Sequence, residues 1–495
     1  MRKSYISILL YHKIMRFSVI QRILGQLLIS FSLTLLPPIG VSLWYQDHEL
    51  IVFISVFLTM FILGIICWIP AREAKQELRL NDGFIITAGF WIILSLLSAL
   101  PFLFTPHLDF AESVFEAVSG FTTTGATVIS GLDQLPKSLL YYRQQLQWFG
   151  GLGIIVFAIA VLPMLGIGGM RLYRAETPGP MHDDKLVPRL RYTVEYLLYV
   201  YIILTVACAL AYRWAGMAWF DAICHSFSTL STGGFSTHDA SLAYFNSPMI
   251  EIIAMIFMVL GSLNFAVHFL AWQKFDMRLY WDDIQGRVFL FVVLFISIIC
   301  TIILMISGVY SDFWTALRFS SFQLISMIST TGFLTADFSN WPSILPVLIL
   351  ASGFIGGCVG STAGGFRVIR IILLYKQAIR GIMRLIHPHA FLAIKIGQRQ
   401  VSNDIVQAVG EFSVLYMASY LFISLLFMAT GVDMISAFSG VAACFNMVGP
   451  GLGELAVTYG NISDTGLWIL SFAMLLGRLE IYTLLVLLMP AFWQK

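Results

Sequence analysis

Charged side chains are scarce. They make up 11% of 495 residues, against roughly 25% in a soluble globular protein. That shortage excludes a soluble fold; the net charge of +2 says little beside the placement of charge, and no stretch resembles a basic nucleic-acid-binding domain. Cysteine is also sparse. Cys67, Cys208, Cys224, Cys300, Cys358 and Cys444 contain no Cys-x-x-Cys pair, and all but Cys358 lie in apolar or short membrane-depth segments. They read as small buried side chains rather than a metal or redox site. No Gly-x-x-x-x-Gly-Lys run is present, so the chain is not itself an ATPase. His107, His225 and His238 lack metal-ligand spacing such as His-Glu-x-x-His, which removes the case for a membrane-embedded enzyme. No small-residue cleavage pattern follows the basic residues 1–22, so the next apolar run reads as a membrane span, not a signal peptide.

What is abundant is apolar sequence, at 58% of residues. A bilayer-crossing helix needs about 20 such residues. Runs of that length lie at 23–44, 50–70, 83–104, 139–165, 193–213, 248–272, 287–309, 342–376, 404–430 and 463–491. Ten spans are therefore expected in an all-α polytopic membrane protein. Four shorter segments, 109–120, 217–230, 312–328 and 433–445, cannot cross. Each runs into a glycine motif: Thr122-Thr123-Thr124-Gly125, Leu230-Ser231-Thr232-Gly233, Ser329-Thr330-Thr331-Gly332 and, in degenerate form, Asn446-Met447-Val448-Gly449, with Gly125, Gly233, Gly332 and Gly449 as the matched glycines. Irregular backbone at membrane depth is tolerated only against protein or a water-filled cavity. The unit is span, re-entrant half-helix, glycine loop, span. Four units predict one pseudo-four-fold pore, with repeats at 81–170, 171–273, 274–376 and 377–495 after an N-terminal two-helix hairpin at 1–80.

Lys and Arg accumulate in alternate connections: at the N-terminus, at 72–79, 171–191, 274–287 and 367–399. The opposite side holds only Lys137, Arg143, Arg213 and Arg318. The positive-inside rule puts the first set in the cytoplasm and all four glycine loops in the outer half of the membrane.

Backbone carbonyls from such loops can replace the water shed by a cation. Glycine supplies the unusual backbone angles, and each half-helix turns the negative end of its dipole toward the ion path. The candidate ion-contacting residues are Thr123, Thr124 and Gly125, Ser231, Thr232 and Gly233, Thr330, Thr331 and Gly332, and Met447, Val448 and Gly449. No Asp or Glu ring accompanies them, which argues against a divalent-cation filter. Glu116 reads as a buried carboxylate holding the first loop.

The eighth run contains Gly353, Gly356, Gly357, Gly360, Gly364 and Gly365, too dense for an intact helix. A break is expected there. Arg478 is the only basic residue deep in an expected span, a costly position that marks a functional site or a pair with a carboxylate from another span. Glu480, two positions on, falls on a different helix face.

With these residues the chain resembles the Trk/Ktr/HKT superfamily of potassium transporters, and within it the bacterial Trk-type (TrkH/TrkG-like) membrane subunit. The marks are the four loops, the segment Leu172-Tyr173-Arg174-Ala175-Glu176-Thr177-Pro178-Gly179-Pro180 and the extra N-terminal hairpin. The resemblance implies potassium uptake across the inner membrane, with potassium as cargo and no organic cofactor. In plant relatives a serine at the first filter glycine goes with sodium permeation, so glycine in all four loops implies potassium preference. It also implies that the glycine-rich break and Arg478 obstruct the pore beneath the filter. The basic stretch 377–402 would dock a cytosolic nucleotide-binding TrkA-type regulatory subunit, and the chain would form a homodimer. A sodium or mixed monovalent-cation channel or symporter of the same fold remains the alternative. An alternating-access carrier is disfavoured, because the repeats share one orientation.

Overall fold

The computed structural model describes residues 2–74, 80–104, 108–156, 186–342, 344–390, 392–397 and 399–494. The segment at 172–180 and His107 lie outside the described residues. Helices dominate, and among the described residues the only strands are the pair Lys395–Ile396 and Arg399–Gln400.

The N-terminal hairpin is Arg2–Ser32, continued by Leu36–Tyr45, against Leu50–Trp68. Its helices touch through Gly25 and Gly64: a Cβ at Gly25 would stand 2.8 Å from the Trp68 nitrogen. Small residues allow such backbone approach where lipid supplies no hydrophobic drive for association. Ile51, Leu58, Ile62, Ile66 and Ile69 form an exposed apolar stripe at helical spacing, the face a bilayer would cover. The hairpin docks on the first repeat. Ser138 N donates to the Asp47 carboxylate at 2.8 Å, and Gln145 Nε2 donates to Thr34 O at 2.8 Å.

The repeating unit appears four times. Its half-helices are Phe110–Phe121, Trp219–Leu230, Phe313–Ile328 and Met434–Phe445. Three start at an aspartate that accepts from the first-turn N–H groups: Asp109, Asp312 and Asp433. Such caps satisfy donors that would otherwise be orphaned. Asp109 and Glu112 form a full capping box.

Among the described residues, six helices are long and apolar enough to cross intact; the other four expected spans are broken or only partly described. The fourth run is helical over Lys137–Val156, and the rest of it lies outside the described residues. The eighth breaks as expected, into Ile344–Ile355 and Val368–Ile386. Two others break without a glycine cluster to announce it. The sixth bends by 98° between Pro248–Ser262 and Phe265–Lys274, and the tenth by 115° between Asp464–Arg478 and Tyr482–Leu488. In the tenth, Glu480 and Ile481 take φ of 54° and 49°. Glu480 therefore sits in the break, and the helix-face argument made for it does not apply.

Candidate ion pathway

The four loops are built alike. The residue after each first hydroxyl or amide position is left-handed: Thr123, Thr232, Thr330 and Met447, at φ of 59°, 51°, 58° and 60°. Two positions later Gly125, Gly234, Gly332 and Gly449 have φ of 84°, 81°, 82° and 94°. Between them Thr124, Gly233, Thr331 and Val448 each donate their N–H back to the half-helix, to Ser119, Ser228, Ser326 and Ala443 oxygens, all at 2.8 Å.

This sets the second loop one residue away from its sequence-based register. Gly234, not Gly233, matches Gly125, Gly332 and Gly449. Gly233 matches Thr124, Thr331 and Val448, while Ser231 matches Thr122, Ser329 and Asn446. All four matched positions remain glycine.

Those glycines meet in a ring. A Cβ at Gly125 would run into the Gly233 carbonyl oxygen, one at Gly234 into that of Thr331, and one at Gly332 into that of Val448. A Cβ at Gly449 would lie 2.8 Å from the Thr124 oxygen. Each loop's glycine thus lies against a carbonyl of the next loop, in cyclic order one to four and back to one. Positive φ and lack of room both exclude side chains here. The four glycines line an open cavity, with His238, Asp239 and Tyr459 around it.

Behind the first loop lies a buried ion pair, 0% exposed on both sides. Arg143 Nη2 and Nε donate to Glu116 Oε1 at 2.7 and 2.8 Å. Glu116 also accepts from Thr127 Oγ1 and Val128 N, as its sequence position implied. Arg143 Nη1 reaches Ser236 O at 3.2 Å, and its guanidinium lies over Phe235. Assigned by composition to the outer connections, Arg143 is instead a buried tie between two loops.

His225 is buried between Asp221 O and Ser236 Oγ. His238 stacks on Tyr244 and bonds Asp133. Cys208, Cys224, Cys300, Cys358 and Cys444 are buried, and Cys67 is partly so.

Below the ring, residues 356–367 leave the helix and thread under the loops. Gly356, Gly360 and Gly365 take φ of 68°, 80° and 75°. Gly353 remains inside Ile344–Ile355, where a Cβ would stand 2.8 Å from Val448 Cγ2. Gly364 N donates to Thr330 Oγ1 at 2.6 Å. Thr362 Oγ1 donates to Leu230 O at 2.9 Å and Gly261 O at 3.0 Å. A Cβ at Gly357 would crowd Ala363, and one at Gly364 would lie 2.5 Å from Asn446 O.

The same segment explains the bend of the sixth span. Cys358 N donates to Ser262 O, Thr362 N to Gly261 O, and Phe265 N to Gly360 O, at 2.9, 3.2 and 3.0 Å. The backbone groups freed by the bend are met by the threaded segment.

Arg478 ends its helix 2% exposed. Its Nη1 donates to Thr362 O at 3.2 Å and its Nη2 to Gly150 O at 3.1 Å, with Met447 Sδ at 3.8 Å. Among the described residues it has no carboxylate partner. Glu480 pairs with Arg370 instead, at 2.6 Å.

Residues 49–495 match the family model TrkH, described as a cation transport protein. This chain belongs to the TrkH family. It is 48% identical over 485 residues to the Trk system potassium uptake protein TrkH of Vibrio parahaemolyticus, covering 97% of this chain and 100% of that one. The protein of the same name from Escherichia coli K12 is 47% identical over 483 residues, with the same coverage. The crystal structure of the potassium transporter TrkH from Vibrio parahaemolyticus superposes with a TM-score of 0.90 at 46% identity, over 97% of this chain and 100% of that one. The TrkH fold is therefore the fold of this chain. Sequence reasoning missed Gly234 and the role of Arg143. The Gly233-Gly234 doublet carried the first signal, and an Arg within an apolar run the last.

Proposed function

We propose that this chain takes up potassium across the bacterial inner membrane, as a multi-pass transporter, through the ring of four glycine loops. Carbonyls of Thr123, Thr124, Thr232, Gly233, Thr330, Thr331, Met447 and Val448, with Gly125, Gly234, Gly332 and Gly449, replace the ion's hydration shell. The cyclic glycine-to-carbonyl contacts carry this reading, because they are four equivalent contributions to one axis. The names of the relatives support potassium as cargo.

The segment 356–367 and Arg478 form the gate. A fixed positive charge beneath the ring raises the barrier to cations, since a mid-membrane charge is otherwise costly. The repeats at 81–170, 171–273, 274–376 and 377–495, after the hairpin at 1–80, are the folding units of this pore. The basic stretch at 377–402 receives a cytosolic nucleotide-binding TrkA-type subunit, and two copies of the chain pair as a homodimer, as the family resemblance implies.

The test is growth of a potassium-transport-deficient bacterium at low potassium. The wild-type chain rescues growth, and Gly125→Ser or Gly234→Ser lowers rescue or admits sodium. Rescue indifferent to both changes overturns the filter assignment.

A further inference from the structure

The second loop is held differently from the others. In loop one the Thr122 and Thr124 hydroxyls bond each other at 2.7 Å. In loop three Ser329 and Thr331 do the same at 2.8 Å. In loop four, Asn446 is held by Ala442 O and the Tyr416 hydroxyl. Loop two has Gly233 at the matched position, and Ser231 Oγ reaches only Ser228 O, at 3.3 Å.

Gln147, from the helix Lys137–Val156, fills the vacant space. It is 0% exposed. A Cβ at Gly233 would lie 2.9 Å from Gln147 Cβ and 2.5 Å from its Oε1. Gly233 lacks the positive φ of Gly234, so the backbone does not demand glycine there; the neighbouring glutamine does. Gln147 Nε2 donates to Gly233 O at 2.6 Å, and Oε1 accepts from Phe235 N at 3.0 Å. A carbonyl needs a donor and an N–H an acceptor, which fixes the amide's orientation. Among the described residues the matching carbonyls of Thr124, Thr331 and Val448 accept no hydrogen bond.

We propose that Gln147 is a positioning residue for ion selection, aiming the Gly233 carbonyl and replacing the threonine hydroxyl that braces loops one and three. This rests on the four loops being the filter.

The experiment measures potassium and sodium flux in proteoliposomes. Gln147→Ala lowers the potassium-over-sodium ratio about tenfold, the scale of one buried hydrogen bond. Gly233→Thr alone collides with Gln147 and abolishes selective uptake. Gln147→Ala with Gly233→Thr rebuilds the hydroxyl pair with Ser231 and recovers the ratio. Gln147→Met keeps the volume without the hydrogen bonds and lowers the ratio too, which covers a failure of the alanine variant to fold. An unchanged ratio in a folded Gln147 variant, or a double variant no better than Gln147→Ala, overturns the proposal. Gly234→Ser separates the two readings. If it alters the ratio while Gln147 variants do not, only the role of Gln147 falls. If neither alters it, the filter assignment falls as well.

Discussion

Arg143 and Glu116 are both fully buried, each satisfying the other's charge. Removing one partner of such a pair leaves an uncompensated charge and costs about 3–5 kcal/mol, whereas neutral replacement of both is far milder. Arg143→Met is therefore expected to lower the thermal midpoint in detergent, and Glu116→Gln with Arg143→Met to recover most of it. A single variant as stable as wild type would show that the pair contributes nothing. At this scale the sequence is a partial guide. Glu116 could be read as a loop brace because it precedes the glycine motif closely. Its partner could not, since Arg143 sits 27 residues on and only folding brings them together. The doublet Gly233-Gly234 likewise offers two glycines, and only the hydrogen bond from Gly233 N to Ser228 O decides between them.

Among elements, the four half-helices were legible because each is short, apolar and followed by glycine. The break at 356–367 was legible from its glycines. The breaks in the sixth and tenth spans were not, since each reads as one long run without a glycine cluster. Tertiary partners cause them: Gly261, Ser262 and Phe265 bond the threaded segment, and Glu480 bonds Arg370. Arg478 fastens that segment through Thr362 and reaches Gly150 on the fourth span. Arg478→Ala removes both ties and the positive charge, so potassium flux in proteoliposomes should rise several-fold, as a loss of a few hydrogen bonds permits. Equal or lower flux from well-folded protein would remove Arg478 from the gate.

Across the whole molecule, repeats are joined at the rim of the cavity as well as at the ring. His238, in the connection after the second loop, bonds Asp133 after the first and faces Asp221 at 3.6 Å, with Tyr244 stacked on it. Burial opposes its charged form, but the nearby Asp221 carboxylate and the hydrogen bond to Asp133 outweigh it, and its pKa is raised above the ordinary 6.5. A raised folded-state pKa means that this contribution is complete below the unfolded value and disappears as pH rises through the folded one. The thermal midpoint of His238→Gln should thus fall furthest below wild type at mildly acidic pH and converge with it at alkaline pH. A gap constant across that range would show that the histidine's charge has no part in joining the repeats.

Under the proposed gate, the bend in the sixth span makes opening a question of hydration. While the threaded segment is in place, it serves the Gly261 and Ser262 carbonyls and the Phe265 N–H. Withdrawing it strands all three at membrane depth, where an unmet polar group costs several kcal/mol. Either water follows the segment's retreat into the cavity, or the span straightens and bonds itself. With the segment as the proposed gate, conduction and wetting of the lower pore become one event, and the three bonds that keep the helix bent also oppose opening.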